Sequence, residues 1–193
     1  MNESAIEKMV ALNLTSTIRG TLMAAEHMRK DKGGHGGRII NISSIAGLEE
    51  FAMVPVYCST KHAVRAFTSA LAMAPDIPLQ GVEYAVLCPS PAATDMFLNI
   101  DDVKVRHLDT VPPSVRQAVT APVECITRGF MKLVSLDQMN GAILYASQTE
   151  MTFRRMDNVG GVTKGRGVTK EGSICCGRRE REEERERDRE REK

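Results

Sequence analysis

The chain has 193 residues, 42% of them apolar, which is enough for one compact domain and a tail. A formal charge of +1, from 26 Lys and Arg against 25 Asp and Glu, argues against a nucleic-acid or anionic-membrane partner, and no apolar run approaches the roughly 20 residues of a membrane helix. Trp is absent and aromatics are only 4%, so aliphatic residues and eleven methionines must fill the core.

Residues 4–30 carry Ile6, Met9, Val10, Leu14, Ile18, Leu22, Ala25 and Met28 at helical spacing, which predicts one long helix. DKGGHGG (31–37) breaks it. RIINISS (38–44) is an apolar, β-branched run with bulk on both faces, as in a buried parallel strand. Helical spacing returns from Tyr57 to about Ala74 and is stopped by Pro75 and Pro78. VEYAVLC (82–88) predicts a second buried strand, closed by Pro89 and Pro91. A helical segment at 121–135 leads to a third apolar run, Ala142–Ala146. Strands alternating with helices imply crossover connections and an α/β fold with a parallel sheet. The composition changes after about Phe153. GVTK occurs at 161–164 and 167–170, too short to be a structural repeat, and residues 178–193 hold eight basic and eight acidic residues with nothing to bury. The expected organisation is an α/β domain over 1–150 and a charged, disordered tail over 151–193.

Chemistry concentrates in Tyr57-Cys58-Ser59-Thr60-Lys61, with Ser43-Ser44 upstream. A Tyr and a Lys four apart share a helix face. An ammonium beside a phenol favours the phenolate and pulls down a pKa that starts at about 10. Such a phenol can take and return a proton, as alcohol oxidation or ketone reduction requires. Ser44 ends a strand thirteen residues before Tyr57. Ligands of open α/β sheets gather at the carboxyl ends of strands, where a hydroxyl can bind a substrate oxygen. The four histidines and five cysteines show no metal-ligand spacing. An odd cysteine count without a secretory leader fits a cytoplasmic protein.

The segment RIINISSIAG…PVYCSTKHAVRAFTSALA resembles the short-chain dehydrogenase/reductase family. Within it, the GGHGG loop, PVYCSTKHAV and CPSPAATDM are similar to the NAD-dependent hydroxyprostaglandin dehydrogenase branch, a likeness covering roughly residues 1–150. The resemblance implies a truncated Rossmann-like, doubly wound parallel sheet that keeps the family's strands five to seven. It implies NAD as cofactor and oxidation of a secondary alcohol, lipid-like or otherwise apolar, to a ketone by a Ser-Tyr-Lys mechanism. Tyr57 would be the general base. Lys61 would lower its pKa and, with Tyr57, contact the cofactor at its ribose. Ser44 would orient the substrate hydroxyl. Asn13, 31 residues before Ser44, would kink its helix and hold a water in the proton relay. Ala92 and Thr94 would bind the cofactor, Thr94 at the nicotinamide carboxamide.

Two positions depart from the family pattern. Ser90 stands where the family has a Gly, in a turn whose backbone only Gly adopts cheaply, and Val54 stands where the branch has a substrate-contacting Gln. No glycine-rich turn precedes the first helix, and GGHGGR (33–38) leads into a strand rather than a helix, so the pyrophosphate cradle of the fold is missing. Strand 38–44 is then expected to expose an apolar edge. The family further implies a homodimer through helices 4–30 and 57–74, with Ala63, Ala66, Phe67 and Ala70 at the interface; an internal core face would use the same residues. The alternative to an enzyme is a non-catalytic, truncated product that keeps only those dimer helices.

Overall fold

The computed structural model describes residues 2–94, 97 and 120–154. Helix α1 (Glu3–Val10) starts at Asn2, whose side-chain oxygen accepts from Ala5 N at 2.9 Å. It runs through a π-helical segment, Ala11–Thr15, into α2 (Ser16–Met28). The single helix expected over 4–30 is therefore interrupted near its middle. There the Ser16 and Thr17 hydroxyls donate back to the Leu12 and Asn13 carbonyls, a pattern that loosens and bends helices.

The elements that follow are β1 (Gly37–Ile42), a 3-10 turn (Ile45–Gly47), α3 (Pro55–Ala72), α4 (Ile77–Gln80) and β2 (Val82–Pro89). After them come α5 (Val123–Val134), β3 (Ile143–Ala146) and β4 (Met151–Arg154). Pro55 opens α3 at a position where its missing N–H costs nothing. The sheet order is β1-β2-β3-β4. The first two pairings are parallel, with Ile40 opposite Ala85 and Leu87 opposite Leu144; β4 is antiparallel to β3, with Phe153 opposite Leu144. Four residues of alternating pattern were too few to announce β4 in the sequence, and it lies just beyond residue 150. Residues 155–193, including the charged run, lie outside the described residues.

Helices cover both faces, as a doubly wound sheet requires. On one face Ala85, Leu87, Leu133, Met139, Leu144 and Ala146 form a buried cluster beneath α5. On the other, Ala25 of α2 and Ala72 of α3 pack with Val82 and Tyr84, and Val86, Cys88 and Ile143 continue that layer. A polar clamp ties both helices of this face to β1. Thr21 Oγ1 donates to Asn41 Oδ1 at 2.9 Å, and Asn41 Nδ2 donates to Thr68 Oγ1 at 2.9 Å. This pairing satisfies an amide that would otherwise be costly to bury.

Strand β1 departs from the expectation of a buried strand. Among the described strands it pairs with β2 alone; Ile39 and Ile40 are only half-buried and Ile42 is 45% exposed. The apolar edge expected for this strand is present.

Gly129 sets how closely α5 approaches the sheet. A Cβ there would lie 2.8 Å from Ala146 Cβ and 3.4 Å from Leu87 Cδ1. Gly129→Ala is expected to lower unfolding stability by about 1–3 kcal/mol through overpacking. Urea denaturation checks this: an unchanged midpoint would mean that α5 yields freely.

Candidate active site

Three backbone ends meet around Tyr57: the carboxyl end of β1, the 3-10 turn after it, and the first turns of α3. Ser44 caps the 3-10 turn, its Oγ accepting from Ala46 N at 3.2 Å. The same hydroxyl lies close enough to the Tyr57 phenol to favour the phenolate. Burial outweighs it, so the Tyr57 pKa is pushed above the ordinary value of 10.

Lys61 does not reverse that direction, contrary to the expectation from its spacing. Its ammonium lies 5.6 Å from the Tyr57 ring centroid and donates to the Ile42 carbonyl oxygen at 3.2 Å. Burial also lowers the pKa of Lys61 itself. The two side chains share a helix face, as four-residue spacing requires, but the carbonyl at the end of β1 takes the ammonium.

Asn13 sits within the π-helical segment, and its Nδ2 donates to Thr60 Oγ1 at 3.3 Å. Thr60 Oγ1 in turn donates to the Tyr57 carbonyl oxygen at 2.8 Å. The chain therefore brings Asn13, Ser44, Tyr57 and Lys61 into one neighbourhood from three elements. Ala92 and Thr94 follow β2, at the same end of the sheet. Their loop is fastened to the residue before Pro122: Ala93 N donates to Ala121 O at 3.0 Å, and Ala121 N to Pro91 O at 2.7 Å.

Several supporting residues carried no signal in the sequence. Ser43 Oγ donates to the Lys61 carbonyl oxygen at 2.8 Å and fastens the end of β1 to α3. The buried Cys58 thiol accepts from Phe51 N at 3.3 Å, pinning the loop that leads into α3. Gly47 packs against the backbone of Lys61 so closely that no Cβ fits. A Ser beside the recognised Ser44, or a Gly after Ala46, reads as ordinary turn sequence until the packing is seen. Cys88, at the end of β2, is buried and its pKa is pushed up to about 11, so at neutral pH it is an uncharged thiol.

The opposite end of the sheet carries a groove of about 400 Å³ lined by Lys30, His35, Arg38 and Glu83, among others. Arg38 is spent on Glu83 at 2.9 Å and on the carbonyl of Val134. Proton-transfer chemistry is better served at the carboxyl ends, where Ser44 and Tyr57 face each other. Among the described residues no cluster of His, Cys, Asp and Glu is arranged to hold a metal ion, and no helix is long and apolar enough to cross a membrane.

Comparison with known proteins agrees with the fold. A family model described as short chain dehydrogenase matches residues 1–104. The 15-hydroxyprostaglandin dehydrogenase [NAD(+)] of Rattus norvegicus is 36% identical over 148 residues, covering 74% of this chain and 56% of that protein. The Homo sapiens protein of the same name is 34% identical over 148 residues, with the same coverage. Among solved structures, ElxO with NADP bound is 25% identical with a TM-score of 0.57, covering 75% of this chain and 57% of that one. The chain spans about half the length of the curated relatives it matches.

Proposed function

The chain belongs to the short-chain dehydrogenase family, and from that premise we propose that it interconverts a secondary alcohol and a ketone with a nicotinamide dinucleotide, Tyr57 carrying the proton. The observation that carries this reading is the approach of Ser44 and Lys61 to the Tyr57 side chain at the carboxyl ends of parallel strands, with the Lys61 ammonium 5.6 Å from the Tyr57 ring centroid.

The residues present fit the nicotinamide half of such a cofactor. Lys61 offers a cation beside Tyr57 for a ribose, and the Ala92–Thr94 loop lies at the same sheet end. Ser90, just after β2, holds a buried hydroxyl with no protein partner. The described residues do not supply the other half: no strand followed by a glycine-rich turn and a helix amino terminus lies among them. A nicotinamide held there would supply the hydride acceptor for the carbinol carbon in oxidation and the hydride donor in reduction. In oxidation, Ser44 Oγ hydrogen-bonds the substrate oxygen, and the Tyr57 oxygen removes the hydroxyl proton. In reduction, the neutral phenol donates to the ketone oxygen. Asn13 braces the first turns of α3 through Thr60 and so supports a proton path from Tyr57 toward Lys61.

NAD is the cofactor we favour, since the curated relatives carry it in their names, and a lipid-like or other apolar secondary alcohol is the substrate class we favour. Val54, in place of a polar side chain at the mouth of α3, agrees with an apolar substrate. We also propose a homodimer through α1–α2 and α3, where Leu12 and Met23 are 68% and 65% exposed and Ala66 and Ala70 face outward.

A second reading is a non-catalytic subunit that keeps these helices but holds no cofactor. It is favoured by the exposed apolar side chains of those helices, Leu12 and Met23 among them. Titration with NADH, followed by nicotinamide fluorescence and repeated with NADPH, separates the two. Micromolar binding of NADH with weaker binding of NADPH is expected. No binding of either up to millimolar concentration would leave the non-catalytic reading.

A further inference from the structure

In the π-helical segment Ala11–Thr15, the Ser16 N–H donates to the Ala11 carbonyl oxygen, five residues back rather than four. At roughly 3.6 residues per turn, the one extra residue turns α1 by about 100° relative to α2. The segment therefore decides which side of α1, and of Asn13, meets α3. Two hydroxyls from the next turn bond back into it. Thr17 Oγ1 donates to the Asn13 carbonyl oxygen at 3.0 Å, and Ser16 Oγ donates to that of Leu12. Their settings differ: Ser16 is exposed, whereas Thr17 is half-buried.

We infer that Thr17 is a positioning residue for Tyr57, acting through the backbone of Asn13. This deepens the dehydrogenase reading and rests on it. Three hydrogen bonds join the two residues. The Thr17 hydroxyl holds the Asn13 carbonyl, Asn13 Nδ2 donates to Thr60 Oγ1 at 3.3 Å, and Thr60 Oγ1 donates to the Tyr57 carbonyl oxygen at 2.8 Å. Thr60 is 2% exposed, so water does not replace a partner that it loses. The middle bond is already at the long end of its range, and a drift of a few tenths of an ångström at Asn13 parts it. Loss of the Thr17 donor starts that drift, because it leaves the Asn13 carbonyl one partner short. Tyr57 is the third residue of α3, in the turn with the fewest ladder bonds, where an outside brace has most effect. A rate that depends on how Tyr57 approaches a substrate oxygen falls steeply with such a shift.

The test uses the full chain and measures kcat for oxidation of an apolar secondary alcohol by NAD, counted per NADH-binding chain so that unfolded protein does not contribute. Thr17→Val keeps the branched shape and removes the donor. Its kcat is expected to fall about fivefold, the worth of one hydrogen bond, with KM unchanged. Thr17→Ser restores the hydroxyl and should return kcat to the wild-type value. Ser16→Ala removes the neighbouring back-bond on the exposed side and should leave kcat as it is. Asn13→Ala takes away the link to Thr60; in that background Thr17→Val should cost less than about twofold, since both changes act on one path. Wild-type kcat in Thr17→Val, no rescue by serine, or an undiminished loss in the Asn13→Ala background would overturn the assignment. So would a loss in Ser16→Ala equal to that in Thr17→Val, which would mean that any loosening of the helix suffices. A wild-type chain that forms no ketone fails at an earlier point: the dehydrogenase reading goes, and this assignment with it.

Discussion

Gly47→Ala is expected to lose both stability and turnover. A Cβ at Gly47 would run into the Ser43 hydroxyl and lie 2.7 Å from the Lys61 carbonyl oxygen and 2.9 Å from its carbon. The Lys61 carbonyl is α3 backbone and cannot swing aside. Relief requires the turn and the helix to separate, which breaks the 2.8 Å bond from Ser43 Oγ to Lys61 O. Overpacking of ~1–3 kcal/mol and a lost hydrogen bond of ~1 kcal/mol together predict a loss of about 3 kcal/mol. The same separation draws Ser44 away from Tyr57, and a displacement near 1 Å in a catalytic pair costs on the order of a hundredfold in rate. Urea denaturation and steady-state kinetics read the two effects. A variant with wild-type midpoint and turnover would show that the turn and α3 are not rigidly joined.

Tyr57→Phe should leave the fold intact and lower kcat by roughly 10²–10⁴-fold, the usual contribution of a positioned acid–base group. NADH affinity should fall by no more than about tenfold, the worth of the one ribose contact the phenol would make. The pH dependence follows from the direction of the shift. Burial raises the Tyr57 pKa above 10, so the neutral phenol dominates at pH 7. Ketone reduction uses that form and should be flat through neutral pH. Alcohol oxidation uses the phenolate, whose fraction grows about tenfold per pH unit below the pKa, so oxidation should accelerate from pH 7 to pH 9 without a plateau. Tyr57→Phe should abolish the slope along with the rate. A residual activity with the same slope would assign the proton transfer to another group.

The alternation of helices and strands was readable because each apolar run has a length and period of its own, and the punctuating residues, Pro75, Pro89 and the 33–37 glycines, are unambiguous. The spacing of Ser44, Tyr57 and Lys61 fixed which side chains meet, because four residues make one helical turn and a strand end is a fixed point. What spacing could not give was the balance of energies at the site. Lys61 was expected to depress the Tyr57 pKa; instead its ammonium finds the Ile42 carbonyl, and desolvation of the phenol wins. The π-helical segment around Asn13 depends on hydroxyls bonding back to the helix, a competition that apolar periodicity does not register. Strand β4 leaves no mark in the sequence because a four-residue strand borrows its stability from Leu144 and its neighbours. Gly47 and Ser43 act through close approach to α3, which only the packed structure displays. The resemblance to a family supplied the roles of Asn13, Ala92 and Thr94, which no residue pattern in the chain would have assigned unaided.

The central claim is that this site passes a hydride and a proton between a secondary alcohol and a nicotinamide ring. The direct measurement is the yield of ketone and of reduced cofactor when the purified chain is incubated at pH 9 with NAD and an apolar secondary alcohol. The account predicts that the two products accumulate in equal amounts, and that neither forms from the corresponding tertiary alcohol. Tight binding of NADH with no ketone from any secondary alcohol would contradict it.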